Sequence, residues 1–208
     1  LCYNCHMPHT SYALLKAIRS HRVEVPNVSV SAAVDKPNGC NQCHLDKSLQ
    51  WTADYLEKWY QLKTDPLGPE QQTKSATLTL LLRGDAAERA ISAWTCGWPE
   101  AQQATGHHGL VPALAQLLTD PYTAVRRLAF QSLRSMKEFE DLQFDFVGSE
   151  KHRKEVQQQV MLRWEALRGT IPQLSRPALL LDDQGNLQLE AFQELLKQRD
   201  DQPVEFPE

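Results

Sequence analysis

The sequence predicts a mainly α-helical chain, with a loop-rich, cysteine-bearing N-terminal module ahead of a stack of paired helices. Three observations carry that prediction. All four paired cysteines, four of the seven histidines and four of the five tyrosines fall within residues 1–63. Beyond residue 70, apolar side chains recur at the i, i+3, i+4, i+7 spacing of an amphipathic helix rather than in strand-like alternation. Between the two, Thr64–Glu70 (TDPLGPE) gathers structure-breaking residues and marks a linker at 64–70.

Past the linker, Leu78, Leu81 and Leu82 share a helix face, and Gly84-Asp85 reads as a stop followed by a new N-cap. Ala87, Ala90, Ile91 and Trp94 line the next face, which Trp98-Pro99 interrupts. Helix signals resume with Leu110, Leu114, Leu117 and Leu118. Asp120-Pro121 then predicts a cap with Pro at the first helical position, opening a helix faced by Val125, Leu128, Ala129, Leu133 and Met136. A further helix starts near Ser149 and carries Val156, Val160, Trp164 and Leu167. A turn at Asp182–Asn186 precedes a short helix with Phe192, Leu195 and Leu196. Helices of roughly 10–16 residues joined by short turns predict a helical-repeat stack over 71–168, without a clean period, and a turn-and-helix extension over 169–208.

Composition narrows the function classes. The 208 residues are 41% apolar and 23% charged, an ordinary globular mixture with enough chain to bury a core. The net charge of −4 argues against nucleic-acid binding through a general basic field. The longest apolar stretches, Leu78–Leu82 (broken by Thr79) and Ala178–Leu181, fall far short of a membrane span. The chain opens on Leu1 and Cys2 rather than Met, as expected of a polypeptide that is processed, cut or missing disordered residues, so the lack of a targeting segment says nothing of compartment.

The chemistry lies in the cysteines. Cys2, Cys5 and His6 form one CxxCH motif, and Cys40, Cys43 and His44 a second, the attachment signature of a c-type haem. On a helical turn, positions i, i+3 and i+4 share a face, so both thiols reach the vinyl edges of one porphyrin while the histidine sits under the iron. Two CxxC pairs clamping one structural zinc, or a thioredoxin-like redox couple, compete with this reading. Histidine directly after both pairs favours haem, as does the 34-residue gap between Cys5 and Cys40, since a zinc ribbon spaces its pairs by about 15–20 residues. Two covalently attached haems c are therefore expected.

The runs CYNCHMPHTSY (2–12), RSHRVEVP (19–26) and PNGCNQCHLDKSLQW (37–51) resemble a module of bacterial multihaem cytochromes c. That family carries a CxxCHMP segment, then a histidine ahead of an xxxxP stretch, then a PNxCxxCH-x-DK…W segment, commonly beside HEAT- or tetratricopeptide-type repeats. The run SAWTCGWPEAQQATGHHGLVPALAQLLTDPYTAVRRLAFQSLRS (92–135) is similar to such a HEAT-like part, and DFVG (145–148) and the tail are similar to the family too. Relatives carry more sequence upstream, including another CxxCH and histidines able to ligate. With almost nothing ahead of Cys2 in this sequence, the resemblance leads to the expectation that one haem lacks a partner ligand within this chain.

His21 matches the family histidine of RSHRVEVP and is expected as a distal ligand, a surface histidine being the alternative; its haem is not readable. His9, three residues past His6, is the second choice and would have to reach a neighbouring haem. Met7 adjoins the proximal ligand and is expected to pack against the porphyrin rather than ligate. His107 and His108 are expected as surface or capping residues unless the repeats fold back over the haems. His152 is expected to be solvated and Cys96 to be a buried small hydrophobe. Trp51, Tyr55 and Trp59, at i, i+4 and i+8, are expected to pack between module and repeats, with Trp51 also able to shield a haem edge.

The expected function is electron transfer between redox partners or other haem subunits through close haems, with bis-histidine ligation giving low potentials. The repeats would dock a partner protein or support a homo- or hetero-oligomer, with no nucleic acid and no transmembrane segment in this chain. Because covalent attachment needs a dedicated machinery outside the cytoplasmic membrane, a periplasmic or extracellular location is expected. A haem enzyme reducing a small oxyanion or peroxide at an open iron is the alternative. A structural zinc-bearing repeat protein is the third reading.

Overall fold

Helix dominates the computed structural model, which describes residues 2–12, 16–106, 108–168 and 176–203. The N-terminal part holds α1 (Cys2–His6), a hairpin of β1 (His9–Tyr12) and β2 (Lys16–Arg19), α2 (Val28–Ala33) and α3 (Leu49–Tyr60). The hairpin is antiparallel, with His9 opposite Arg19, and was not foreseen. Then follow α4 (Pro69–Thr73), α5 (Ala76–Arg83), α6 (Ala86–Thr95), α7 (Pro99–Thr105), α8 (Val111–Leu117), α9 (Thr123–Arg134), α10 (Glu150–Arg168) and α11 (Leu189–Lys197). α5 packs on α6, α8 and α11, α6 packs on α9, and α8 packs on both α9 and α10.

Local chemistry sets the helix ends. The Ser75 hydroxyl accepts from Leu78 N at 3.0 Å to start α5 and donates to Leu45 O at 2.5 Å. α5 ends at Gly84, whose φ of −58° is not left-handed. Glycine is required there by crowding, because a Cβ would stand 2.6 Å from Leu80 O and 2.8 Å from Glu88 Oε2. Asp85 and Glu88 close a reciprocal capping box over α6 at 2.8 Å each way.

Two local expectations are corrected. Asp120-Pro121 does not cap α9, which starts at Thr123 after Tyr122. The Asp120 carboxylate forms a wholly buried pair with Arg89, and its Oδ1 also accepts from Tyr122 N at 2.9 Å, ahead of the first helical residue. The buried face of α6 is also rotated from the one expected. Ala86, Arg89, Ala90 and Ala93 are buried, whereas Ala87 and Trp94 are only partly covered.

The larger apolar core draws on α5, α6, α8, α9, α10 and α11 and includes Leu45, just past the second CxxCH motif. A smaller one comprises Val28, Leu49, Ala53, Leu56 and Leu67, so the 64–70 segment contributes a core side chain. No helix among the described residues is long and apolar enough to cross a membrane.

Candidate functional site

Both CxxCH runs form a helical turn. α1 spans the first, and in the second His44 N donates to Cys40 O at 2.9 Å and Cys43 N to the same carbonyl at 3.2 Å. Asn38 sets the second turn, its Oδ1 accepting from Cys40 N at 3.0 Å. Buried amides between the cysteines fasten each turn, Asn4 in the first and Asn41 and Gln42 in the second. Asn41 donates to Lys47 O at 2.9 Å and accepts from Thr52 Oγ1 at 3.0 Å. Gln42 accepts from His9 N at 3.2 Å and donates to His9 O at 2.6 Å, joining the second motif to the strand that follows the first.

The two turns also touch directly. A Cβ on Gly39 would lie 3.0 Å from Cys5 O and 3.6 Å from Asn4 O, so glycine allows this approach. Arg19 clamps the first turn from the hairpin, donating to Tyr3 O at 3.0 Å, Met7 O at 3.2 Å and Asn4 Oδ1 at 2.8 Å. The second is tied to the helical part: Thr77 Oγ1 donates to Asn41 O at 2.8 Å and Thr105 Oγ1 to Cys43 O at 3.0 Å, while Leu45 N donates to Thr105 Oγ1 at 2.9 Å. Sequence reasoning missed Arg19, Asn38, Thr77 and Thr105; the amides inside the motifs were the visible signal.

The thiols are exposed at Cys2 and Cys5 and half-buried at Cys40 and Cys43, all free. Burial, then the nearby Cys5 and Cys43 thiols, pushes Cys40 up to about 11. Cys43 is raised too, by burial and then by Cys5 and Glu100. Both are therefore favoured as neutral thiols in the folded chain. No three His, Cys, Asp or Glu side chains among the described residues converge as a single metal site.

The His6 ring is oriented. Its Nδ1 lies 2.9 Å from Glu24 O, an acceptor only, so in the neutral ring Nδ1 is the protonated nitrogen and Nε2 the one with the lone pair. Glu24 N donates to His6 O at 2.9 Å and Ser20 N to Pro8 O at 2.9 Å, folding the 20–24 segment against the first motif. Burial lowers the pKa of His44, so its neutral form is favoured.

His21 is exposed within that 20–24 segment. His9 stands edge-on to Trp94 and Trp98, with ring centroids 4.8 and 5.1 Å away, and its Nδ1 is buried without a hydrogen-bond partner. Burial and then Arg19 lower its pKa. Met7 is half-buried. His107 lies outside the described residues. His108 belongs to the helical stack, with Nε2 3.8 Å from Glu138 and its carbonyl accepting from Trp164 Nε1 at 2.8 Å. Cys96 is buried, its thiol pushed up to about 12 by burial.

Two expectations fail here. His152 is half-buried rather than solvated, stacked on Phe144 at 6.0 Å and accepting from Asp145 N at 3.3 Å. The Trp51, Tyr55, Trp59 stripe does not pack between module and repeats, because α3 buries its opposite face, Leu49, Ala53 and Leu56, in the smaller core. The stripe instead continues outward from His44, with ring centroids 4.8 Å from His44 to Trp51, 4.7 Å to Tyr55 and 4.9 Å to Trp59, which is 60% exposed.

Comparison with protein-family models, with curated proteins and with solved structures finds no match to this chain.

Proposed function

We propose that this chain is a c-type cytochrome carrying two covalent haems, bound through Cys2 and Cys5 and through Cys40 and Cys43, and passing electrons between redox partners. The observation that carries the reading is His6: on the same turn as two thiols, its Nδ1 is committed to the Glu24 carbonyl and Nε2 is left for a metal. In this reading His6 and His44 are the proximal ligands, and haem iron supplies one-electron Fe(III)/Fe(II) chemistry.

The fit extends to packing. Among the described residues the smaller core holds five buried apolar side chains, one of them Leu67 of the 64–70 segment, while Tyr3, Val23, Val25, Val30 and Val34 are left exposed. A small unit so short of apolar burial needs a staple, and two porphyrins would provide one. The chain's own groups then orient His6, raise the Cys40 and Cys43 thiols by burial, and hold the two turns in contact through Gly39 and Gln42.

Glu24, three residues past His21, meets His6 at Nδ1 rather than at Nε2. His21 is accordingly offered to a different haem from the one attached at Cys2 and Cys5. His9, packed against two indoles, is the weaker ligand. The similarity to multihaem cytochromes with HEAT-like repeats belongs to this proposal, as do export to the periplasm or cell surface and docking of a partner by the helical part.

Intact mass and pyridine haemochrome spectra of the native polypeptide test it. Two haems retained through acidified acetone are expected. A colourless protein, or a cofactor that acetone removes, rejects it.

A further inference from the structure

His44, Trp51, Tyr55 and Trp59 form an unbroken series of ring contacts, none longer than 4.9 Å between centroids. The spacing has a plain cause. Trp51, Tyr55 and Trp59 recur every four residues on α3 and so stack along one side of it. Leu49, Ala53 and Leu56 hold the helix to the smaller core by its other side. The inner end touches the imidazole of the second motif. The outer end is open: Trp59 is 60% exposed and Tyr60, 6.4 Å beyond it, is 61% exposed. Of the five tryptophans in the chain, Trp59 is the exposed one.

Indole and phenol are the protein side chains that most readily give up a single electron, but only to a strong oxidant. A low-potential redox partner has no use for such a chain of rings. A surface radical does. We propose that Trp51, Tyr55 and Trp59 are a one-electron relay through which strong one-electron oxidants arriving at the protein surface are discharged by the second CxxCH site. This rests on the haem reading above, which supplies the electron.

The balance is simple. The oxidant takes one electron from Trp59, whose indole Nε1 proton passes to water. Tyr55 refills Trp59 and releases its phenol proton to water, Trp51 refills Tyr55 as that proton is taken back, and the electron held at the His44 site refills Trp51. The proton returns to Trp59 from solvent. No bond is made or broken among carbon atoms, the three rings end as they began, and the net change is one electron moved from the site to the oxidant.

The test uses the purified, dithionite-reduced holoprotein and a flash-generated ruthenium(III) tris-bipyridyl as the oxidant, followed by transient absorption. In the unaltered chain the tryptophanyl radical signal is expected to decay in step with the shift of the haem bands to the ferric form. In Trp51→Leu the radical is expected to form in the same yield and to decay at least about tenfold more slowly. Tyr55→Phe keeps the ring and its packing but not its ease of oxidation, and the same slowing is expected there, which covers the case of a Trp51→Leu chain that does not fold. Unchanged decay in both variants of a coloured protein overturns the relay and leaves the haem reading standing. A colourless unaltered protein overturns the haem reading and the relay with it.

Discussion

Arg89 and Asp120 form an ion pair from which water is wholly excluded, with Nε 2.7 Å from Oδ2, Nη2 3.3 Å from Oδ1, and both side chains 0% exposed. The pair joins α6 to the turn ahead of α9. The other N–H groups of Arg89 face Gly84 O at 2.6 Å, Asp200 O at 2.7 Å and the Asp201 carboxylate at 3.3 Å. A guanidinium has five N–H donors, and five acceptor atoms surround this one. Two of them come from the segment after α11, which is also held by Asp200 N donating to Arg83 O at 3.0 Å and Tyr122 Oη donating to Gln202 O at 3.2 Å.

Removing one member of such a pair strands the other as a buried charge. Arg89→Met is expected to destabilise the protein by about 3–5 kcal/mol, and the double change Arg89→Met with Asp120→Leu by less than that single change. Ending the chain after Lys197 leaves two donors without acceptors and is expected to remove about 1–3 kcal/mol for each. Urea unfolding of the purified protein checks all three; a truncated chain as stable as the intact one would show that the segment past α11 contributes nothing to Arg89.

Glu88 makes stability depend on pH. Burial pushes its carboxyl up to about 7, with Asp85, Asp35 and Asp200 adding to the shift and the hydrogen bond from Asp85 N opposing it. Between the ordinary carboxyl range and about pH 7, folded Glu88 holds a proton that the unfolded chain has released. The folded state therefore binds more protons there, and this group's contribution falls as pH rises through that window. Glu88→Gln preserves the capping box and removes the slope. The variant is expected to match the parent at about pH 4 and to exceed it in melting temperature at about pH 8, as read by calorimetry. An equal gap at both pH values would assign the effect to packing rather than ionisation.

Gly39 is the point at which the two CxxCH turns meet. Gly39→Val places side-chain carbon where Cys5 O stands at 3.0 Å from even a Cβ. The second turn is anchored by Thr77 and Thr105, whereas α1 is held chiefly by Arg19, so α1 is the part that gives way. Haem loading is expected to fall at Cys2 and Cys5 and to persist at Cys40 and Cys43, read by peptide mass. Cys40→Ala is the converse, with attachment impaired at the second motif alone. Equal losses at both motifs in either variant would show that they do not load independently.

Much of the helical part was legible in the chain. Leu78, Leu81 and Leu82, the Gly84-Asp85 break, and the Val156, Val160, Trp164 face all appear where periodicity and capping chemistry put them, because both are local properties. The misreadings at Trp94 and the α3 stripe share one cause. Periodicity says which residues share a face and is silent on which face a neighbour covers. Arg89 was invisible for the same reason, since a charged residue on an amphipathic helix reads as solvent-facing until a carboxylate from another turn meets it.

At the candidate site the division is equally clear. The two CxxCH spacings belong to the sequence alone, because three side chains within one helical turn need nothing from the rest of the fold to share a face. The contact of the two turns across Gly39, the turning of His6 by a carbonyl eighteen residues away, and the line of rings from His44 to Trp59 were settled by tertiary structure. Each depends on where a distant piece of backbone comes to rest, and that is determined by which apolar faces are buried together rather than by any local pattern of residues.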